Sequence, residues 1–252
     1  MEQKIQIFLF EAEREAFLKK HNFMFKESQA RILSNFNNID KETDLLRDQL
    51  LNGELYNSNP NLYHDDEAQL YEDACSQAFS HYSLLHEMRR ELTLTAVSMI
   101  YFNFDKTLRS WLFKEIEHSW NIPDLGNWIW RTDIKHIYSL LELFDFSIRS
   151  KIFFKHIDSL RIVVNTYKHG YGLSLSQLKD LYPEYLNAEF VEKGFMTLNN
   201  EHNNLKVSKP QLEEFAQAIT DFWTLVPRNL ICDDIQLITQ LIQPKNKKKK
   251  EA

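Results

Sequence analysis

The sequence predicts an all-α protein, a helical bundle with an N-terminal helical arm and a C-terminal helix preceded by at most one short strand. Three observations predict it. Five Gly and six Pro in 252 residues leave little turn chemistry, and a many-stranded sheet needs a great deal of it. Ala96, Ile100, Phe104, Leu108, Leu112 and Ile116 recur every four residues, which places them on one ridge of a helix. At 43% apolar and 13% aromatic the chain carries enough side-chain volume to fill a core without cross-links.

Residues 5–52 read as helix. Leu18, Phe25, Ile32, Ile39 and Leu46 fall one heptad apart, with Phe10, Phe17 and Met24 as a second column. Two adjacent apolar columns make a stripe that must bury. Asn35, Asn37 and Asn38 weaken the middle, and Asp40 is placed to cap a second helix over residues 41–52. This arm, residues 1–58, packs on its own body or crosses to a second copy; the spacing leaves both open. Residues 53–66, with Pro60 and several Asn, are turn-rich and form the expected domain boundary. His64, Asp65 and Asp66 read as an acidic helix start, not a metal site.

Residues 66–228 form the expected bundle. Residues 67–119 are helical until Pro123 stops them, with Glu91 and Arg109 as candidates for buried pairing. Glu115-x-x-His118 occurs once, whereas di-iron bundles use two such pairs and further Glu residues, so no metal and no other cofactor is expected. In the Trp-rich connector at residues 121–131, Trp128 and Trp130 join Ile122, Leu125 and Ile129 over the core edge, or else stack on bases as aromatics do in single-stranded nucleic-acid sites. Thr132 is the expected cap of a helix over residues 133–150, with Ile137, Leu140, Leu141, Phe144 and Ile148 inward. A helix over residues 151–169 follows directly. Beyond it come a short helix at residues 174–181 and a single strand or strap at 205–207. Ser208-x-x-Gln211, a capping box with Pro210 in its first turn, opens a helix that runs to Leu225 and stops before Pro227. Residues 229–252 end in a basic run at 245–250, either a solvated end or a weak electrostatic tether.

Composition excludes several function classes. A net charge of −6 disfavours a general nucleic-acid coat protein, because phosphate affinity comes chiefly from Lys and Arg. Two cysteines, Cys75 and Cys232, form neither a disulfide framework nor a Cys-based zinc site and fit a reducing cytoplasm. No leader is expected at the N-terminus. The apolar run at residues 92–104 is interrupted by Thr93, Thr95, Ser98 and Asn103 and is too short to span a bilayer, so a soluble protein without membrane association is expected. No Walker loop, G-x-G-x-x-G, G-x-S-x-G or H-E-x-x-H is present.

The stretch richest in chemistry is residues 160–170, L-R-I-V-V-N-T-Y-K-H-G. Leu160, Val163, Val164 and Tyr167 take one helical face, while Arg161, Asn165 and His169 form a slanted polar row beside Lys168. Gly170 and Gly172 are placed to end the helix. Basic residues in a last turn also complement the helix dipole, a purely structural use.

This stretch resembles the signature helix of the HEPN superfamily, small all-α proteins many of which are metal-independent endoribonucleases of toxin–antitoxin and phage-defence systems. The match is an Arg and a His on a late helix, with Asn165 and Lys168 beside the His. The interval from Arg161 to His169 is wider than the family's. Arg14/His21, Arg131/His136 and Arg149/His156 also meet the loose pattern, and Arg149/His156 is the reserve pair. The resemblance implies an HEPN-like bundle, a homodimer with its Arg/His helices facing across one cleft, and RNA as substrate. Arg161, His169 and Asn165 would then be the catalytic residues. His169 would be the acid/base, since imidazole titrates near working pH; Arg161 or Lys168 would hold phosphate, and Tyr167 would join Lys168 in binding RNA. The alternative is a non-catalytic interaction or regulatory subunit of a defence or toxin–antitoxin complex, in which Arg161 pairs with a carboxylate and His169 caps carbonyls.

Overall fold

The computed structural model describes residues 4–52, 64–187 and 204–243. Residues 53–63 of the expected linker at 53–66, and the basic tail at 245–250, lie outside the described residues, while residues 64–66 already belong to a helix. In order the elements are β1 (Ile5–Phe8), α1 (Glu11–Arg31), α2 (Ile39–Asn52), α3 (His64–Ser119), α4 (Leu125–Arg131), α5 (Ile134–Leu143), α6 (Phe154–His169), α7 (Leu173–Leu181), α8 (Lys209–Leu225), β2 (Asn229–Cys232) and α9 (Ile235–Ile242). The fold is mostly α, as expected. Among the described residues no helix is long and apolar enough to cross a membrane.

Two compact units divide the chain, Met1–Met24 with Val97–Ala252, and Phe25–Ala96. In the first, the ridge of Ile100, Phe104, Leu108, Leu112 and Ile116 is buried throughout. Trp223 of α8 lies edge-on to Phe104, Trp111 and Phe222, at ring separations of 6.2, 6.1 and 4.9 Å, and tilts against Phe17 at 4.7 Å. Burying each such aromatic contributes ~1.5–3 kcal/mol, so α8 closes this core as its apolar side predicts. Its capping box forms: Ser208 Oγ accepts from the Gln211 N–H at 3.5 Å, and Gln211 Oε1 accepts from the Ser208 N–H at 2.8 Å.

Three local expectations are corrected. Residues 5–8 are a strand, antiparallel to β2 with Ile5 opposite Cys232 and Ile7 opposite Leu230. The physical reason is the period of I-Q-I-F: Ile5 and Ile7 alternate inward at 1% and 0% exposure, which suits a pleat. Of the strand or strap expected at residues 205–207 the structure has the strap, tied by one bridge between Leu186 and Leu205. The cap of α5 is Asp133, accepting from the Lys135 N–H at 2.8 Å, and the helix ends at Leu143. Asp145 then turns with φ 63°, and Phe144 and Phe146, two residues apart, both bury, which a continuing helix would not allow. Trp130 is about half exposed, because α4 spends its buried face on Leu125 and Ile129.

The second unit holds the end of α1, a 3₁₀ turn at Leu33–Phe36, α2, and α3 through Ala96. Phe36, Ile39, Ala74, Ala78 and Leu94 bury, and His81 Nε2 lies 3.4 Å from Glu42 Oε1. The heptad phase does not run through the turn: Ile39 buries while Ile32 is exposed.

Candidate functional site

Helix α6 carries the five residues singled out above, and Gly170 ends it as expected. With φ 67°, Gly170 donates its N–H to Thr166 O at 2.8 Å, a closure that L side chains resist. Leu160, Arg161, Ile162, Val163 and Val164 are all buried, so the inward face is broader than one apolar row.

Arg161 points into this interior, only 4% exposed. Its Nε and Nη2 both donate to Asp158 Oδ1, at 3.0 and 2.8 Å, and Asp158 Oδ2 accepts from the Tyr182 hydroxyl at 3.1 Å. Burial, reinforced by the Asp158 charge, pushes the Tyr182 phenol up to about 12. The hydroxyl therefore stays protonated and donating at neutral pH. Burial also raises the Tyr101 and Tyr138 phenols, against the opposing charge of Arg161. The guanidinium thus sits among tyrosines with its charge answered by Asp158, and the chain ties α6 to the residue that ends α7.

The other four residues lie further out. Asn165 and Tyr167 are half-buried, and Lys168 and His169 are exposed. Along the helix axis Arg161 and His169 are ~12 Å apart by the rise per residue. The row is therefore split, with a paired Arg inside and a solvent-facing His and Lys at the basic end.

In the remaining Arg/His pairs Arg14, His21, Arg149 and His136 have structural partners. Arg14 donates to Trp223 O, and at 2.8 Å to Val226 O, capping the end of α8. His21 Nε2 donates to Ala216 O at 2.9 Å, and burial lowers its pKa against the pull of that hydrogen bond. Arg149 donates to Glu142 and to Lys135 O, the latter at 2.8 Å, while His156 Nδ1 stands 3.8 Å from Glu214 Oε2. His136 Nδ1 meets Thr132 Oγ1 at 3.0 Å.

Two polar devices on α3 escape a reading by sequence pattern. Trp111, Glu115 and Ser119 fall four residues apart and cap the free edge of β1. Trp111 Nε1 donates to Phe8 O at 2.9 Å, Glu115 Oε2 accepts from the Phe8 N–H at 3.0 Å, and Ser119 Oγ donates to Gln6 O at 2.8 Å. The row replaces the hydrogen bonds a third strand would supply. Glu115 is thereby committed to backbone, not to a partner of His118. Arg109 pairs with Asp105 at 2.8 Å and not with Glu91, and also donates to Ile129 O and to Thr132 O. Burial raises the Asp105 carboxyl, and Arg109 opposes it.

Among the described residues no group of three His, Cys, Asp or Glu side chains is placed to hold a metal ion. No family model, curated protein or solved structure matches the chain.

Proposed function

We propose that this chain is a non-catalytic helical interaction subunit, of the defence or toxin–antitoxin kind that its HEPN-like helix implies. The observation that carries the reading is the Asp158–Arg161–Tyr182 network. A guanidinium 4% exposed and bonded twice to a carboxylate oxygen has little left to offer a scissile phosphate. Charge supports the reading as well: the sequence of Phe25–Ala96 carries thirteen Asp and Glu against six Lys and Arg, a balance that attracts basic protein partners and repels RNA.

A second reading is favoured by the exposure of Lys168 and His169. In it the protein is a metal-independent endoribonuclease acting as a homodimer, with His169 from each copy as the acid/base pair. Incubating the purified protein and its His169→Ala variant with total cellular RNA, with and without EDTA, separates the two. The interaction reading expects intact RNA in every lane. Cleavage that survives EDTA and vanishes in a His169→Ala protein of unchanged melting temperature would overturn it.

A further inference from the structure

A groove of about 520 Å³ opens between the segment that precedes α6 and the outer face of α8. Phe153 and Ala218 form its floor, 4% and 2% exposed. Its rim is apolar and open to solvent: Ile152 is 97% exposed and Leu225 54%. An apolar side chain held almost wholly in water gains nothing from the fold itself and suits a surface that another molecule covers. Along α8, Glu214, Ala218 and Asp221 succeed one another on one face. The two carboxylates are thus two helical turns apart, ~10.5 Å, with the smallest floor residue between them.

Polar groups line the same groove. His156 Nδ1 is shielded from solvent, makes no hydrogen bond, and stands 3.8 Å from Glu214 Oε2. Asp221 accepts from Gln217 Nε2 at 2.8 Å, which fixes its carboxylate at the groove. Lys151, the one Lys or Arg among the described lining residues, places its Nζ over the Phe146 ring, 5.5 Å from the centroid. The groove therefore pairs an apolar middle with two acidic posts, and a basic amphipathic segment complements both at once.

We infer that this groove docks a helical segment of a protein partner that presents one apolar anchor flanked by Lys or Arg seven residues apart. The inference deepens the interaction reading and rests on it. The anchor covers Ala218 between Ile152 and Leu225, and the two cations meet Glu214 and Asp221. A nucleic acid is disfavoured by the same carboxylates.

The test uses the full chain and a fluorescein-labelled synthetic helical peptide with Leu midway between two Lys seven residues apart. Two control peptides carry Lys→Glu at both cations or Leu→Ser at the anchor. By fluorescence anisotropy, both controls are expected to bind about tenfold or more weakly. Ile152→Ser, safe for folding because the side chain is in water, weakens the basic peptide by about fivefold. Glu214→Lys with Asp221→Lys reverses the preference in favour of the acidic peptide. Equal binding by wild type and Ile152→Ser, or no saturation by about 1 mM, overturns the inference. So does a dimer of the chain, seen by sedimentation, that dissociates on Ile152→Ser, which would assign the groove to a second copy. None of these outcomes involves RNA cleavage, so the interaction reading can survive the loss of this groove.

Discussion

Replacing Arg161 with Ala is expected to destabilise the fold by about 3 kcal/mol. The side chains of Arg161 and Asp158 are 5% and 17% exposed. Removing one member of a buried pair costs ~3–5 kcal/mol, because the other charge is left without its counterion. Two features pull the value to the lower end: Tyr182 still donates to Asp158 Oδ2, and Asp158 retains some contact with water. In a chain of this size the loss corresponds to a fall in melting temperature of ~6–12 °C. Arg161→Lys should fall between, since an ammonium keeps the charge without the two-pronged donation. A double-mutant cycle with Asp158→Ala, followed by urea denaturation, isolates the pair and should return a coupling of ~2 kcal/mol. Arg161→Ala melting within ~2 °C of wild type, or a coupling below ~0.5 kcal/mol, would refute the buried pair. Either result would return the guanidinium to a role outside the fold and restore the case for phosphate binding.

Glu115→Ala should cost about 1–3 kcal/mol by leaving the Phe8 N–H unpaired at a part-buried strand edge, while Glu115→Gln, which keeps an acceptor, should cost clearly less. Equal losses in denaturant titrations would mean that the charge, not the hydrogen bond, matters there. His21 links stability to pH. Burial holds its folded pKa below the ordinary imidazole value of 6.5, so the unfolded chain binds the proton more readily. Its contribution is fully present above pH 6.5 and is lost as pH falls toward the lowered value. Melting curves from pH 7.5 to 5 should therefore slope downward more steeply for wild type than for His21→Gln, which removes the titration and keeps an N–H donor for Ala216 O. Parallel slopes would show that His21 is not the group responsible.

Which parts of this protein could be read in advance follows from how far each residue's partner lies along the chain. The start of α8 is a local instruction, because Ser208 and Gln211 satisfy each other within one turn. Gly170 closes α6 through Thr166, again within one turn. For Arg161 the sequence permitted two uses: Asp158, three residues earlier, shares its face and can pair with it, and nothing local chose that over phosphate binding. β1 was not legible, since four alternating residues next to a long helical pattern gain meaning only from β2 at the other end of the chain. Arg14 and His21 make the same point about polar groups. They lie seven residues apart on α1, and both are buried where the heptad columns assigned the inward face to Phe17 and Leu18. What permits their burial is a set of α8 carbonyls, Ala216 O in mid-helix for His21 and Trp223 O and Val226 O at the helix end for Arg14. A basic side chain looks the same in sequence whether it faces water, phosphate or a helix end. Its local pattern can nominate it for a site, but the distant acceptor decides its use, and for Arg14, His21 and Arg109 that acceptor is backbone.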